Sequence, residues 1–111
     1  MADSMIVVTT DTVEGYDTKE TLGQVFGLVV RSRGLAGNIM AFLRSLIGGE
    51  IHEYTQMLED ARRHSLDRMV KNATAMGANA VVRMQFDSSE LGGSMSEIVA
   101  YGTAVIIEKK K

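Results

Sequence analysis

The stretch TKETLGQVFGLVVRS, residues 18–32, decides the fold. It is rich in β-branched and apolar side chains and reads as one long strand. Side chains alternate across a strand, so Leu22, Phe26, Leu28 and Val30 point one way and Gly23, Val25, Gly27 and Val29 the other. Both rows are apolar, and the glycines make the second nearly smooth. Such a strand needs cover on both faces, and the smooth row calls for a partner that can approach closely.

Residues 51–76 supply that partner. Tyr54, Leu58, Ala61, Ser65, Met69, Ala73 and Met76 recur at helical spacing. The small Ala61, Ser65 and Ala73 let the helix axis lie close to the Gly23 and Gly27 row. The opposite face carries Glu59 with Arg63 and Asp67 with Lys71, acid first at i, i+4, each pair worth about 0.2–0.5 kcal/mol on an exposed helix. Gly77 then ends the helix.

The remaining elements follow from the same periodicities. Residues 5–10 form a short strand, followed by a turn over 11–17 that contains Gly15. Strands over 79–86 and 94–108 are joined by 87–93, with Gly92-Gly93 as the turn signal. In the last strand Ile98, Ala100, Gly102, Ala104 and Ile106 share one face, and Val99, Tyr101, Thr103, Val105 and Ile107 the other. A short helix is expected over 38–47, where Ile39, Phe42, Leu43, Leu46 and Ile47 make an apolar stripe between Asn38 as N-cap and Gly48. Its ten residues reach about 15 Å, half a bilayer's hydrocarbon thickness of about 30 Å. These elements make a sheet with one long helix packed on it, plus a short helix, in a single domain over residues 1–111.

Composition agrees. The chain has 111 residues, 45% hydrophobic and 23% charged, the profile of one folded domain rather than a disordered segment. A net charge of −2 gives no field to gather nucleic acid or an anionic membrane, so neither is expected as a partner. Cysteine is absent, which excludes disulfides, thiolate metal sites and cysteine nucleophiles. No run approaches the 18 or so apolar residues of a spanning helix, and the first ten residues lack a basic signal region, so a cytoplasmic location is expected.

One helix cannot cover both faces of this sheet. Val99, Val105, Ile107, Leu28 and Val30 fall on faces that the helix leaves open, and copies of the same chain are the expected cover.

The chemistry-bearing residues are few. Arg31 and Arg33 stand beside Gly34 and Gly37 at a strand end, a setting that suits a small anion, although no complete phosphate-loop motif is present. Asp60, His64 and Asp67, at i, i+4 and i+7, could offer nitrogen and oxygen ligands to a divalent ion; the same row also suits a solvated helix face. The other histidine, His52, is 12 residues from His64 and cannot share that ion on a continuous helix. Glu50, Glu97 and Tyr101 have no spacing that pairs them, and no catalytic motif or cofactor fingerprint is present, so an enzyme is not expected.

Several segments together resemble a known family. Val7-Val-Thr-Thr10, Gly27-Leu-Val-Val-Arg31, Leu46-Ile-Gly-Gly-Glu50, Tyr54, Ala61-Arg62, Met76-Gly-Ala-Asn-Ala-Val-Val82 and Glu97-Ile-Val-Ala-Tyr-Gly-Thr103 are similar in order and spacing to the YbjQ-like bacterial proteins. The resemblance implies a dodecin-like α+β subunit, one long helix packed on an antiparallel β-sheet, in a homopentameric ring. It also carries a heavy-metal-binding label with no ligand set to transfer. With Arg31 and Arg33, the matched Gly48, Gly49, Glu50, Tyr54 and Arg62 make the candidate ligand-binding set. Structural roles suit them equally: turn glycines, a turn hydrogen bond from Asn79, a carboxylate partner for Arg62. The function expected is a homo-oligomeric small-ligand-binding or scaffold assembly with sites between subunits; the alternative is a metal-ion-binding protein.

Overall fold

A computed structural model describes residues 5–32, 52–91 and 95–111. The short helix expected over 38–47 and the Gly92-Gly93 turn lie outside the described residues. Four strands and one helix follow in the order β1 (Ile6–Val7), β2 (Tyr16–Ser32), α1 (His52–Ala75), β3 (Ala80–Leu91) and β4 (Met95–Lys109). The strand order across the sheet is β1-β3-β4-β2.

The sheet is mixed, which corrects the antiparallel expectation. β4 runs antiparallel to both its neighbours, but Ile6 and Val7 pair in parallel with Ala80 and Val81. The reason is topological. The chain goes from β1 to the far edge, forms β2, and returns through α1, so that β3 starts in the same direction as β1 and β2. A helical crossover is the usual way to bring strands back in the same direction, and here β4 inserts between the two it connects.

α1 lies on one face and crosses β2 directly over Gly27. A Cβ on Gly27 would come within 2.8 Å of the Arg68 Cβ and closer still to the backbone of Ser65 and Met69. Val25, Met69, Val70, Ala73, Val81, Met84, Ala100 and Ala104 form the buried cluster beneath the helix. Ala61 and Ser65 are buried as well, so the small-sided stripe faces the sheet as its spacing predicts, whereas Leu58 and Met76 are exposed.

Two bulges change the strand readings. Between Thr21 and Gly23 the β2 register shifts, with Gly23 at φ +124°, and Leu22 packs against the helix-side cluster. Leu22 therefore does not share a face with Phe26, Leu28 and Val30. In β3 the register shifts between Val82 and Gln85, where Arg83 has φ +53°. That bulge sits against Gly102 of β4, where a Cβ would lie 2.7 Å from Val81 Cγ1 and 2.9 Å from the Val82 carbonyl.

The opposite face is covered at one end by the chain itself. Ala80, Val82, Val105 and Ile107 are buried there beneath Ile6, Val8, Val13 and Tyr16. Residues 8–16 are held in place by Met84 N–H donating to the Val8 carbonyl, Arg83 N–H to the Thr10 carbonyl and Lys110 N–H to the Gly15 carbonyl, at 3.0, 3.0 and 2.9 Å. An Arg83–Asp11 ion pair of 2.8 Å adds to them. Val105 is only 2% exposed, so the expectation that Val105 and Ile107 wait for another copy is overturned. Among the described residues no helix is long and apolar enough to cross a membrane.

Candidate functional site

Two regions of the described chain remain chemically unfinished: the outer edge where α1 meets β2, and the part of the sheet face that residues 8–16 do not reach.

At the edge, polar side chains one helical turn apart reach down to β2. Asn72 Nδ2 donates to the Phe26 carbonyl at 2.8 Å and Arg68 Nη1 to the Leu28 carbonyl at 2.7 Å. One turn further back, His64 Nδ1 accepts from Arg31 Nη2. The repeat has a geometric cause: four helical residues advance about 6.0 Å and two strand residues about 6.6 Å, so helix positions 72, 68 and 64 keep pace with a strand running the other way. Arg31 is half-buried, while His64 and Arg68 are exposed.

On the open face, cross-strand rows run through β2, β4 and β3. Phe26 stands opposite Tyr101, which faces Gln85; Leu28 stands opposite Val99, which faces Asp87; Val30 stands opposite Glu97, which faces Ser89. Phe26 is 55% exposed, Val30 50%, Tyr101 40% and Leu28 39%. The β3 side of the patch is polar and internally bonded: Tyr101 Oη donates to Gln85 Oε1 at 3.1 Å, and Ser89 Oγ to Glu97 Oε2 at 2.9 Å. The result is an apolar band along β2 and β4 with a polar border, the make-up of an interface core and its rim.

The expected site residues do not all meet. Arg31 makes the contact just described. Arg62 lies with its guanidinium carbon 5.0 Å from the centre of the Phe86 ring, a cation–π contact in place of the expected carboxylate partner. Arg33, Gly48, Gly49 and Glu50 fall outside the described residues, and Tyr54 is placed only by its backbone on α1. Asp60, His64 and Asp67 all lie on α1, but among the described residues no three His, Asp or Glu side chains are placed to hold one metal ion. His64 turns its Nδ1 to the Arg31 guanidinium. The expected Asn79 hydrogen bond exists, though its partner is the Ile107 backbone rather than a turn.

Arg68 and Asn72 were not singled out from the sequence. Their signal was a polar stripe with His64 at i+4 spacing, flanking the small-sided one. Equally unforeseen is an open cleft of about 720 Å³ between residues 8–18 and the end of β4, lined by Thr10, Thr12, Glu14, Tyr16 and Lys110 among others.

Comparison with known proteins bears on the whole chain. The YbjQ family model, described as "Putative heavy-metal-binding", matches residues 5–108. A UPF0145 protein of Bradyrhizobium sp. (strain ORS 278) is 70% identical over 108 residues, spanning 97% of each chain. A UPF0145 protein of Methanoregula boonei is 57% identical over 108 residues, 97% of this chain and 90% of its own. Among solved structures, a protein of unknown function from the DUF74 family of Pediococcus pentosaceus superposes with a TM-score of 0.64 at 16% identity. That match covers 94% of this chain and 98% of the other, and it supports the fold alone.

Proposed function

The chain belongs to the YbjQ family, and from that premise we propose that it is the self-assembling subunit of a cytoplasmic homopentamer whose small-ligand sites lie between copies. The observation that carries this reading is the uncovered band of Phe26, Leu28, Val30 and Tyr101. Single exposed apolar residues are ordinary, but a contiguous band with a polar rim on a sheet face favours a partner surface. A second copy of the chain is the proposed partner. The number five follows the resemblance to the YbjQ-like proteins, and the contact face follows the exposed band.

The family's heavy-metal description finds no matching donor set among the described residues. Soft cations favour thiolate or thioether ligands. The chain has no cysteine; of its methionines Met69 and Met84 are enclosed in the apolar cluster beneath α1, while Met76 and Met95 are exposed. Among the described residues no three His, Asp or Glu side chains stand together to complete such a set.

Native mass spectrometry of protein purified without added ligand tests the proposal. A species of about five times 12.1 kDa, with any retained small molecule visible as extra mass, is the expected outcome. A wild-type monomer at micromolar concentration would overturn it.

A further inference from the structure

The geometry points to an oxyanion site on the α1–β2 edge, built from Arg31, His64 and Arg68 and suited to a phosphate group. It does not depend on the assembly proposed above.

The three side chains present mainly donors. Arg68 uses Nη1 on the Leu28 carbonyl and keeps its other guanidinium N–H groups free of that bond. Arg31 places Nη2 against His64 Nδ1. An arginine cannot accept, so Nδ1 is the acceptor in this contact, and an imidazole bonded in that way offers Nε2–H as a further donor. His64 and Arg68 are one helical turn apart, and the carbonyl that Arg68 holds is three residues from Arg31 on β2, so the three side chains share one short stretch of edge.

These charges lack counter-ions within the described chain. Among the described residues, neither Arg31 nor Arg68 lies within 4.0 Å of a carboxylate; the ion pairs there are Lys19–Glu108 and Arg83–Asp11. Asp60 and Asp67, the acids nearest in sequence to His64, share its helix but pair with neither arginine. Two guanidinium forks and an imidazole N–H, held by a strand and a helix and not paired with acid among the described residues, suit the oxygens of a tetrahedral oxyanion. A carboxylate from another copy is the competing occupant, and the test separates the two.

Isothermal titration of the full chain with inorganic phosphate, at low ionic strength and against chloride of matched strength, measures the site directly. Glycerol phosphate titrated in parallel distinguishes a free-anion site from one that takes a phosphoryl group on a larger molecule. Saturable binding below about 10 mM is expected, with a rise in melting temperature through linkage. Arg31→Gln should weaken it at least about tenfold, the loss of one charged donor pair, and Arg63→Gln, on the same helix outside the cluster, should leave it unchanged. His64→Gln, which keeps an acceptor and a donor at that position, guards against a folding defect in the arginine variant and should weaken binding less. Wild-type protein that ignores both anions, or an Arg31→Gln variant that binds them as tightly, overturns the proposal. Sedimentation velocity on the same samples reads the other occupant: an assembly that falls apart in Arg31→Gln, with no phosphate response in wild type, assigns the edge to a partner's carboxylate instead.

Discussion

The Asn79 side chain pairs with the Ile107 backbone as a strand residue would. Its Nδ2 donates to the Ile107 carbonyl at 2.9 Å, and the Ile107 N–H donates back to Oδ1 at 2.7 Å. Asn79 sits between α1 and β3, and its own carbonyl accepts from Ile6 N–H at 3.3 Å. One residue, through its side-chain amide and its backbone carbonyl, thus ties the helix exit, β4 and β1 together.

Asn79→Ala removes both side-chain bonds. With each typical hydrogen bond worth about 0.5–1.5 kcal/mol net, the variant should lose about 1–3 kcal/mol, read as a lower urea midpoint at unchanged slope. Asn79→Asp keeps the acceptor but puts a carboxylate oxygen against the Ile107 carbonyl, so it should be no more stable than the alanine variant at neutral pH.

Gly27 is where helix and strand come closest. Gly27→Ala must push α1 off the sheet, and overpacking of this kind costs about 1–3 kcal/mol or more. Gly15→Ala meets no such obstacle, because nothing lies within 4 Å of its added Cβ; only its φ of +86° opposes the change. Thermal unfolding of the pair should rank Gly27→Ala as clearly the worse.

Arg83 has left-handed backbone inside a strand. Arg83→Gly loses an exposed ion pair worth about 0–1 kcal/mol but relieves a conformational penalty of about 1–2 kcal/mol, so it should be close to neutral. Arg83→Val should destabilise although valine is a good strand former, because a β-branched side chain resists positive φ. Equal stability of the two variants would show that the bulge is not retained.

Val105→Asp and Leu28→Asp separate folding from assembly. Val105 is buried under residues 8–16, so an unpaired carboxylate there should unfold the subunit, seen as loss of circular dichroism. Leu28 is on the open band, and Leu28→Asp should leave a folded monomer in sedimentation velocity. A Leu28→Asp ring as stable as wild type would remove that band from the interface.

The long elements were legible because their periodicities are local. Residues 51–76 and 18–32 announced a helix and a strand, and the structure places them at His52–Ala75 and Tyr16–Ser32. What stayed hidden depends on contacts distant in sequence. The bulge at Arg83 has no mark in a run of good strand formers, since its cause lies in the register against β4. The cover over Val105 and Ile107 comes from residues 8–16, which read as the end of a short strand and a polar turn and give no hint of the wall that Val8, Val13 and Tyr16 build. The Arg31–His64 contact joins positions 33 apart, so nothing in the local sequence marks it, and His64 reads there only as part of a row with two acids that suits a divalent ion or a solvated face.

The capped edge of β2 also bears on how the chain is made. VFGLVV, residues 25–30, is a short apolar run of high strand propensity, and an open strand edge of that kind is a template for fibril growth. In the finished subunit the Phe26 and Leu28 carbonyls are occupied by Asn72 and Arg68, so an incoming chain finds no acceptors there. That protection arrives late. Asn72 is 46 residues downstream of Phe26, an interval of roughly 2–9 s at a synthesis rate of about 5–20 residues per second. Throughout that interval the nascent strand has no helix to close it, so substitutions that slow docking of α1 should be seen first as aggregation on the ribosome's timescale, before any loss of native stability is measurable.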